Sequence, residues 1–100
     1  MTRIDQIWLY LLQGNALSDR QAMVQFKYGA FRSRVAECRD RLHIKDEWDS
    51  FKDEQTKAVT TYKKYWMCKE WLKTTEAQAM KALLERRASL SDVLAGQPFP

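Results

Sequence analysis

Gly29-Ala30-Phe31-Arg32-Ser33-Arg34-Val35-Ala36-Glu37-Cys38-Arg39-Asp40-Arg41-Leu42 has the pattern of a turn followed by a short amphipathic helix. Phe31, Val35, Cys38 and Leu42 fall within roughly 60° of one another on a wheel of 100° per residue, which predicts one narrow core stripe and a helix 3 beginning near Ala30. Cys38 in that stripe reads as a small buried hydrophobe. Ser33, Ala36, Glu37 and Asp40 occupy the opposite face, flanked by Arg32 with Arg39 and by Arg34 with Arg41. Lys27, Tyr28 and Gly29 interrupt the helical period, and Gly29 is expected to turn the chain through a left-handed conformation.

Two further helices are expected upstream. Thr2 with Asp5 resembles a capping box, and Ile4, Ile7, Trp8, Leu11 and Leu12 recur at helical spacing before Gly14, which predicts helix 1 over Arg3 to Gln13. Ser18 can accept from the backbone while Gln21 reaches back, and Ala22 and Phe26 continue an apolar face. Helix 2 is expected from about Asp19 to Phe26.

Beyond Leu42 the helical period fades. Ile44, Trp48 and Phe51, then Val59, Thr60, Thr61, Tyr62, Tyr65 and Trp66, favour two strands. Between them Lys52, Asp53, Glu54, Gln55, Thr56 and Lys57 contain no apolar residue, as a solvated hairpin tip requires. Trp48, Tyr62, Tyr65 and Trp66 read as core or inter-strand packing in preference to a base-stacking platform. Thr75 with Gln78 offers a third capping box, for a helix over about Glu76 to Ala88, and Leu90, Val93 and Leu94 add a shorter turn. Gly96, Pro98 and Pro100 end the chain in a segment expected not to continue a helix and with little to bury. The stripe of Ala77, Met80, Leu83, Leu84 and Ala88 either closes the domain's own core or forms an antiparallel dimer seam.

With 100 residues a single core must carry the fold, and 45% hydrophobic against 30% charged residues suits a globule rather than a disordered chain. The net charge of +4 is unevenly spread: residues 1 to 42 hold seven Lys/Arg against four Asp/Glu, whereas residues 74 to 100 hold three against three. A basic first half suits a phosphate-binding surface. Cys38 and Cys68 show no C-x-x-C spacing and His43 has no ligand-like neighbour, so neither a metal nor a cofactor is expected. Nothing resembles a nucleophile with its base or a convergent acid pair, which argues against an enzyme. No cleavable leader and no apolar stretch of membrane-spanning length is evident, so a cytoplasmic chain with reduced thiols is expected.

Three short helices followed by a two-stranded hairpin is the element order of a winged helix-turn-helix. The expected fold is mainly α with a small β-hairpin: a winged helix-turn-helix domain over residues 1–72, and a C-terminal helical extension over 73–95, packed on the same domain or used for a homodimer. Such a chain would bind duplex DNA as a transcriptional regulator or accessory factor, with helix 3 in the major groove. Arg32 and Ser33 lie in the turn closest to base edges, and arginine can grip guanine O6 and N7 together. Arg34 and Arg41 flank them, either facing phosphate or paired with a carboxylate one turn away. Glu37 can accept from a cytosine amino group, while Lys27 and Tyr28 before the helix, and Lys52, Lys57 and Lys63 or Lys64 on the hairpin, are placed for phosphate. Lysines there also protect an edge strand from aggregation. The rival expectation is a protein-binding winged-helix module, an inhibitor or adaptor, which Glu37 and Asp40 favour.

The run Arg34-Val35-Ala36-Glu37-Cys38-Arg39 is similar to a motif of small helix-turn-helix proteins of phage and prophage type: Arg, Ile or Val, any residue, Asp or Glu, Leu, Arg. Ile44-Lys45-Asp46-Glu47-Trp48 with Tyr62-Lys63-Lys64-Tyr65-Trp66-Met67 resembles their hairpin, I-x-x-x-W followed by Y-x-x-Y-W-L. The resemblance covers about residues 4 to 67 and implies a DNA-binding winged helix. Two positions depart from it. Cys38 replaces the usual leucine, and Leu42 stands where a glycine commonly ends helix 3, implying either a longer helix or an altered path into the hairpin.

Overall fold

The computed structural model describes residues 2–96, with side chains through Ser89. Its elements are α1 (Arg3–Leu12), β1 (Leu17–Ser18), α2 (Asp19–Phe26), α3 (Phe31–Cys38), β2 (Ile44–Lys52), β3 (Val59–Met67), α4 (Lys69–Leu72) and α5 (Thr75–Gly96). The first two helices start where a hydroxyl can take an orphan backbone donor. The Thr2 hydroxyl accepts from the Asp5 N–H at 3.2 Å. Ser18 and Gln21 close a reciprocal box, with Ser18 Oγ accepting from Gln21 N at 3.1 Å and Gln21 Oε1 accepting from Ser18 N at 3.0 Å.

The sheet has three antiparallel strands in the order β1-β3-β2. β2 and β3 pair from Ile44↔Met67 to Lys52↔Val59, and β1 joins through Leu17↔Tyr65 and Ser18↔Lys64. Two strands were expected; β1 is the addition, because two residues are too few to show an alternating pattern. Leu17, Ile44, Tyr65 and Met67 turn inward, where Ile7, Trp8, Leu11 and Leu12 of α1, Ala22 of α2 and Phe31 and Val35 of α3 meet them. Phe31 is the hub: its ring lies 5.4 Å from Tyr65, edge to face, and 6.4 Å from Trp8.

Helix 3 is shorter than its apolar stripe suggested. It ends at Cys38, and the chain continues through turns in which Leu42 N–H donates to Cys38 O at 2.9 Å and Ile44 N–H to Arg39 O at 3.0 Å. Leu42 is fully buried from that turn, while Cys38 is only half-buried. The left-handed residue that a glycine would provide is His43, at φ 51°, its ring stacked 5.0 Å from Trp71. A similar shift occurs before α3, where Lys27 and not Gly29 takes the left-handed conformation, at φ 55°. A Cβ at Gly29 would lie 3.0 Å from the terminal methyl of the exposed Met23 side chain.

α5 is one continuous helix rather than a helix over Glu76 to Ala88 and a separate turn, and it runs through Gly96, which was expected to lie past the last helix. Its cap is Thr74, one residue before the expected Thr75: the Thr74 hydroxyl accepts from Ala77 N–H at 3.3 Å and donates to Trp71 O at 2.6 Å. Gln78 donates to Leu72 O at 2.7 Å instead of reaching back to the cap backbone. The short α4, absent from the sequence expectation, brings those two carbonyls into reach. α5 lies on α1, with Ala77 and Leu84 in the common core and Arg87 Nη1 3.5 Å from Asp5. The side chains of Leu90, Val93 and Leu94, and the tail with Pro98 and Pro100, lie outside the described residues. No described helix is long and apolar enough to cross a membrane.

Candidate nucleic-acid interface

α3 is oriented by burial of Phe31 and Val35, which leaves Arg32, Ser33, Arg34, Ala36 and Glu37 exposed. A shallow groove lined by Arg32, Val35, Ala36, Arg39 and Tyr65 separates that surface from the sheet. The turn before α3 is tied to it. Tyr28, half-buried, accepts a hydrogen bond from Arg34 Nε at 3.1 Å, and the Lys27 carbonyl accepts from Arg3 Nη1 at 3.3 Å.

The four arginines are not all unneutralised. Arg34 Nη1 lies 2.9 Å from Glu37 Oε2 at i,i+3 spacing, Arg32 Nε lies 3.9 Å from Asp19 Oδ2, and Arg39 pairs with Asp46 of β2. Arg41 Nη2 lies 3.5 Å from the Cys38 sulfur. The Arg34 guanidinium is held protonated more firmly than usual, first by the Tyr28 hydroxyl and then by Glu37. All three ion pairs leave the arginine side chain about half-exposed or more. The Arg32 and Arg34 pairs are exposed on both sides and exchange for phosphate at small cost, whereas Arg39 meets an Asp46 that is only 17% exposed.

The hairpin brings its cations to two places. Lys52 ends β2 and Lys57 follows in the turn, where Asp53 N–H donates to Ala58 O at 2.9 Å and Lys57 takes φ 59°, the role a glycine would otherwise fill. Lys52, Glu54 and Lys57 line one shallow cleft at that tip. Lys63 lies nearer the body, with Nζ 3.7 Å from Asp46 and 5.3 Å from the centre of the Trp48 ring. Lys64, on the opposite sheet face, is bound 3.1 Å from Asp49.

The residues expected at the interface thus form two groups, Tyr28, Arg32, Ser33, Arg34, Glu37 and Arg41 around α3, and Lys52 and Lys57 at the hairpin tip, with Lys63 between them. Lys27 is exposed beside the first group. Arg39, named in the sequence only as a flank of the helix, pairs with Asp46, which was not singled out, and the pair couples α3 to the hairpin. The signal was there in Asp46: it occupies the inward register between Ile44 and Trp48, where alternation calls for an apolar side chain. The aromatic assignment also divides. Tyr65 is buried and Tyr62 and Trp66 half-buried, but Trp48 is 67% exposed. Trp48 stands beyond the reach of α3, where the strand has outrun the core. Comparison with family models, curated proteins and solved structures finds no match to this chain.

Proposed function

We propose that this chain is a winged helix-turn-helix protein that binds duplex DNA and catalyses no reaction, with α3 in the major groove and the β2–β3 hairpin beside the backbone. The order α1-β1-α2-α3-β2-β3 with a β1-β3-β2 sheet supports the fold reading, since it puts the hairpin next to α3. The observation that carries the functional reading is the outward face of α3: Arg32, Ser33 and Ala36 exposed together on a helix anchored through Phe31 and Val35. From Asp19 to Arg41 six cations stand against three carboxylates, the excess a polyanion requires. The exposed face of α5, with Ala79, Ala82 and Leu83, is the surface left for a homodimer.

A second reading is favoured by one observation. The pairing of Arg32, Arg34 and Arg39 with carboxylates gives α3 a mixed-charge surface of the kind that docks on protein, as an inhibitor or adaptor would. Titration of random-sequence duplex at low salt separates the two. DNA binding with about five phosphate contacts loses over a hundredfold in affinity between low and physiological salt, at a slope near −0.9 per contact. Absence of binding even at low salt leaves the protein-docking reading.

A further inference from the structure

We infer that Trp48 is a stacking platform for an unpaired base, so that the protein prefers duplex DNA carrying a single-stranded extension over blunt duplex. The inference rests on the duplex-binding reading and names the feature of the DNA that the hairpin recognises. Trp48 shares a sheet face with Asp46 and Lys63, and Asp46 meets Arg39 at the end of α3. Tyr65, opposite Asp46 on that face, packs against Phe31 of α3. The indole therefore lies on the α3 side of the hairpin, two residues and about 7 Å further along the strand than Asp46. The core makes no use of it, for the residue is 67% exposed and has the Lys63 ammonium over one face of its ring at 5.3 Å.

Three features select the occupant. An indole offers a broad π surface, and a nucleobase stacks on it whatever its sequence. Lys63 over one face of the ring, Arg39 at the far side of Asp46 and Lys52 further along the same sheet face outnumber the one carboxylate there, Asp46, and suit the phosphates on either side of a base stacked on the other face of the indole. A base inside a duplex has both π faces covered by its neighbours, and one at a blunt end is held by its pair on the duplex path, so a base free to turn onto the indole is offered only where it is unpaired. α3 and Trp48 would then bind the duplex and its extension from one side.

The test is fluorescence anisotropy with two labelled DNAs, a blunt duplex and the same duplex bearing about three unpaired nucleotides, for the unaltered protein, Trp48→Ala and Trp48→Phe. The expected result is binding of the extended DNA at least about fivefold tighter than the blunt one. Trp48→Phe keeps that preference, and Trp48→Ala loses it while blunt-duplex affinity stays within about twofold. Equal affinity of the unaltered protein for both DNAs overturns the inference and leaves the duplex reading standing. So does a Trp48→Ala protein that keeps the preference, or one that weakens on both DNAs equally, which would put the indole against paired bases. No binding to either DNA removes the duplex reading and this inference with it.

Discussion

The Tyr28 hydroxyl holds Arg34 from the turn before α3, accepting from its Nε at 3.1 Å while Glu37 takes its Nη1 at 2.9 Å. An arginine fixed at two points is aimed before any partner arrives. Tyr28→Phe removes the aim but no charge, so it is expected to weaken duplex binding a few-fold with an unchanged salt slope. Arg34→Ala removes the charge and should also lower the slope by about 1. Anisotropy titrations across a salt series read both quantities.

Asp46 pairs with two cations, Arg39 and Lys63. Asp46→Asn releases both without changing the shape of the site. Affinity for all duplexes is expected to rise, and the salt slope to steepen by about 1 to 2. An unchanged slope would mean that neither cation reaches phosphate.

If the chain binds duplex DNA as proposed, substitutions at Arg32 and Lys57 should separate base reading from phosphate binding. Arg32 projects from the first turn of α3, and Arg32→Ala should cost about tenfold or more on the preferred sequence and flatten the preference at one position. Lys57 sits in the hairpin turn, and Lys57→Ala should weaken every duplex alike. Selection from a random duplex pool distinguishes the two outcomes.

Leu84 fastens α5 to the core, being 5% exposed, whereas its neighbour Leu83 is 47% exposed. Leu84→Ala is expected to destabilise the fold by about 2–5 kcal/mol in urea unfolding. Leu83→Ala should stay within about 0.5 kcal/mol if the chain is monomeric. A homodimer built on α5 would instead make the Leu83→Ala protein sediment as a smaller species.

Asp49 titrates below the ordinary carboxylate range, first because the Ser50 N–H donates to it and then because Lys64 does. A carboxylate with a depressed folded-state value contributes stability above its unfolded value, near 3.9, and loses it as pH falls through the folded value. The acid limb of unfolding, followed by circular dichroism below about pH 4, should therefore be shallower in Asp49→Asn than in the unaltered protein.

Helix positions were legible because their signals are local. Ser18 and Gln21 are three residues apart and satisfy each other in place, and the stripe of Ile7, Leu11 and Trp8 needs only the helical period to be seen. Less legible were features set by distant partners. β1 is a strand only because Leu17 and Ser18 lie beside Tyr65 and Lys64, more than forty residues away in sequence. The stripe from Phe31 to Leu42 suggested one helix, yet the path into β2 ends it at Cys38 and buries Leu42 from a turn.

The sequence by itself determined where α1 and α2 start, where the polar hairpin tip falls and that positive charge gathers in the first half, since capping geometry, side-chain period and charge count are properties of neighbouring residues. Tertiary structure alone decided which charges are spent internally and which apolar rings are left outside. Asp46 meets Arg39 and Lys63 only because the hairpin folds against the end of α3, and Trp48 is exposed only because β2 continues past the helices that cover Ile44. Ion pairing and burial depend on distances across the fold, and no local pattern encodes those distances.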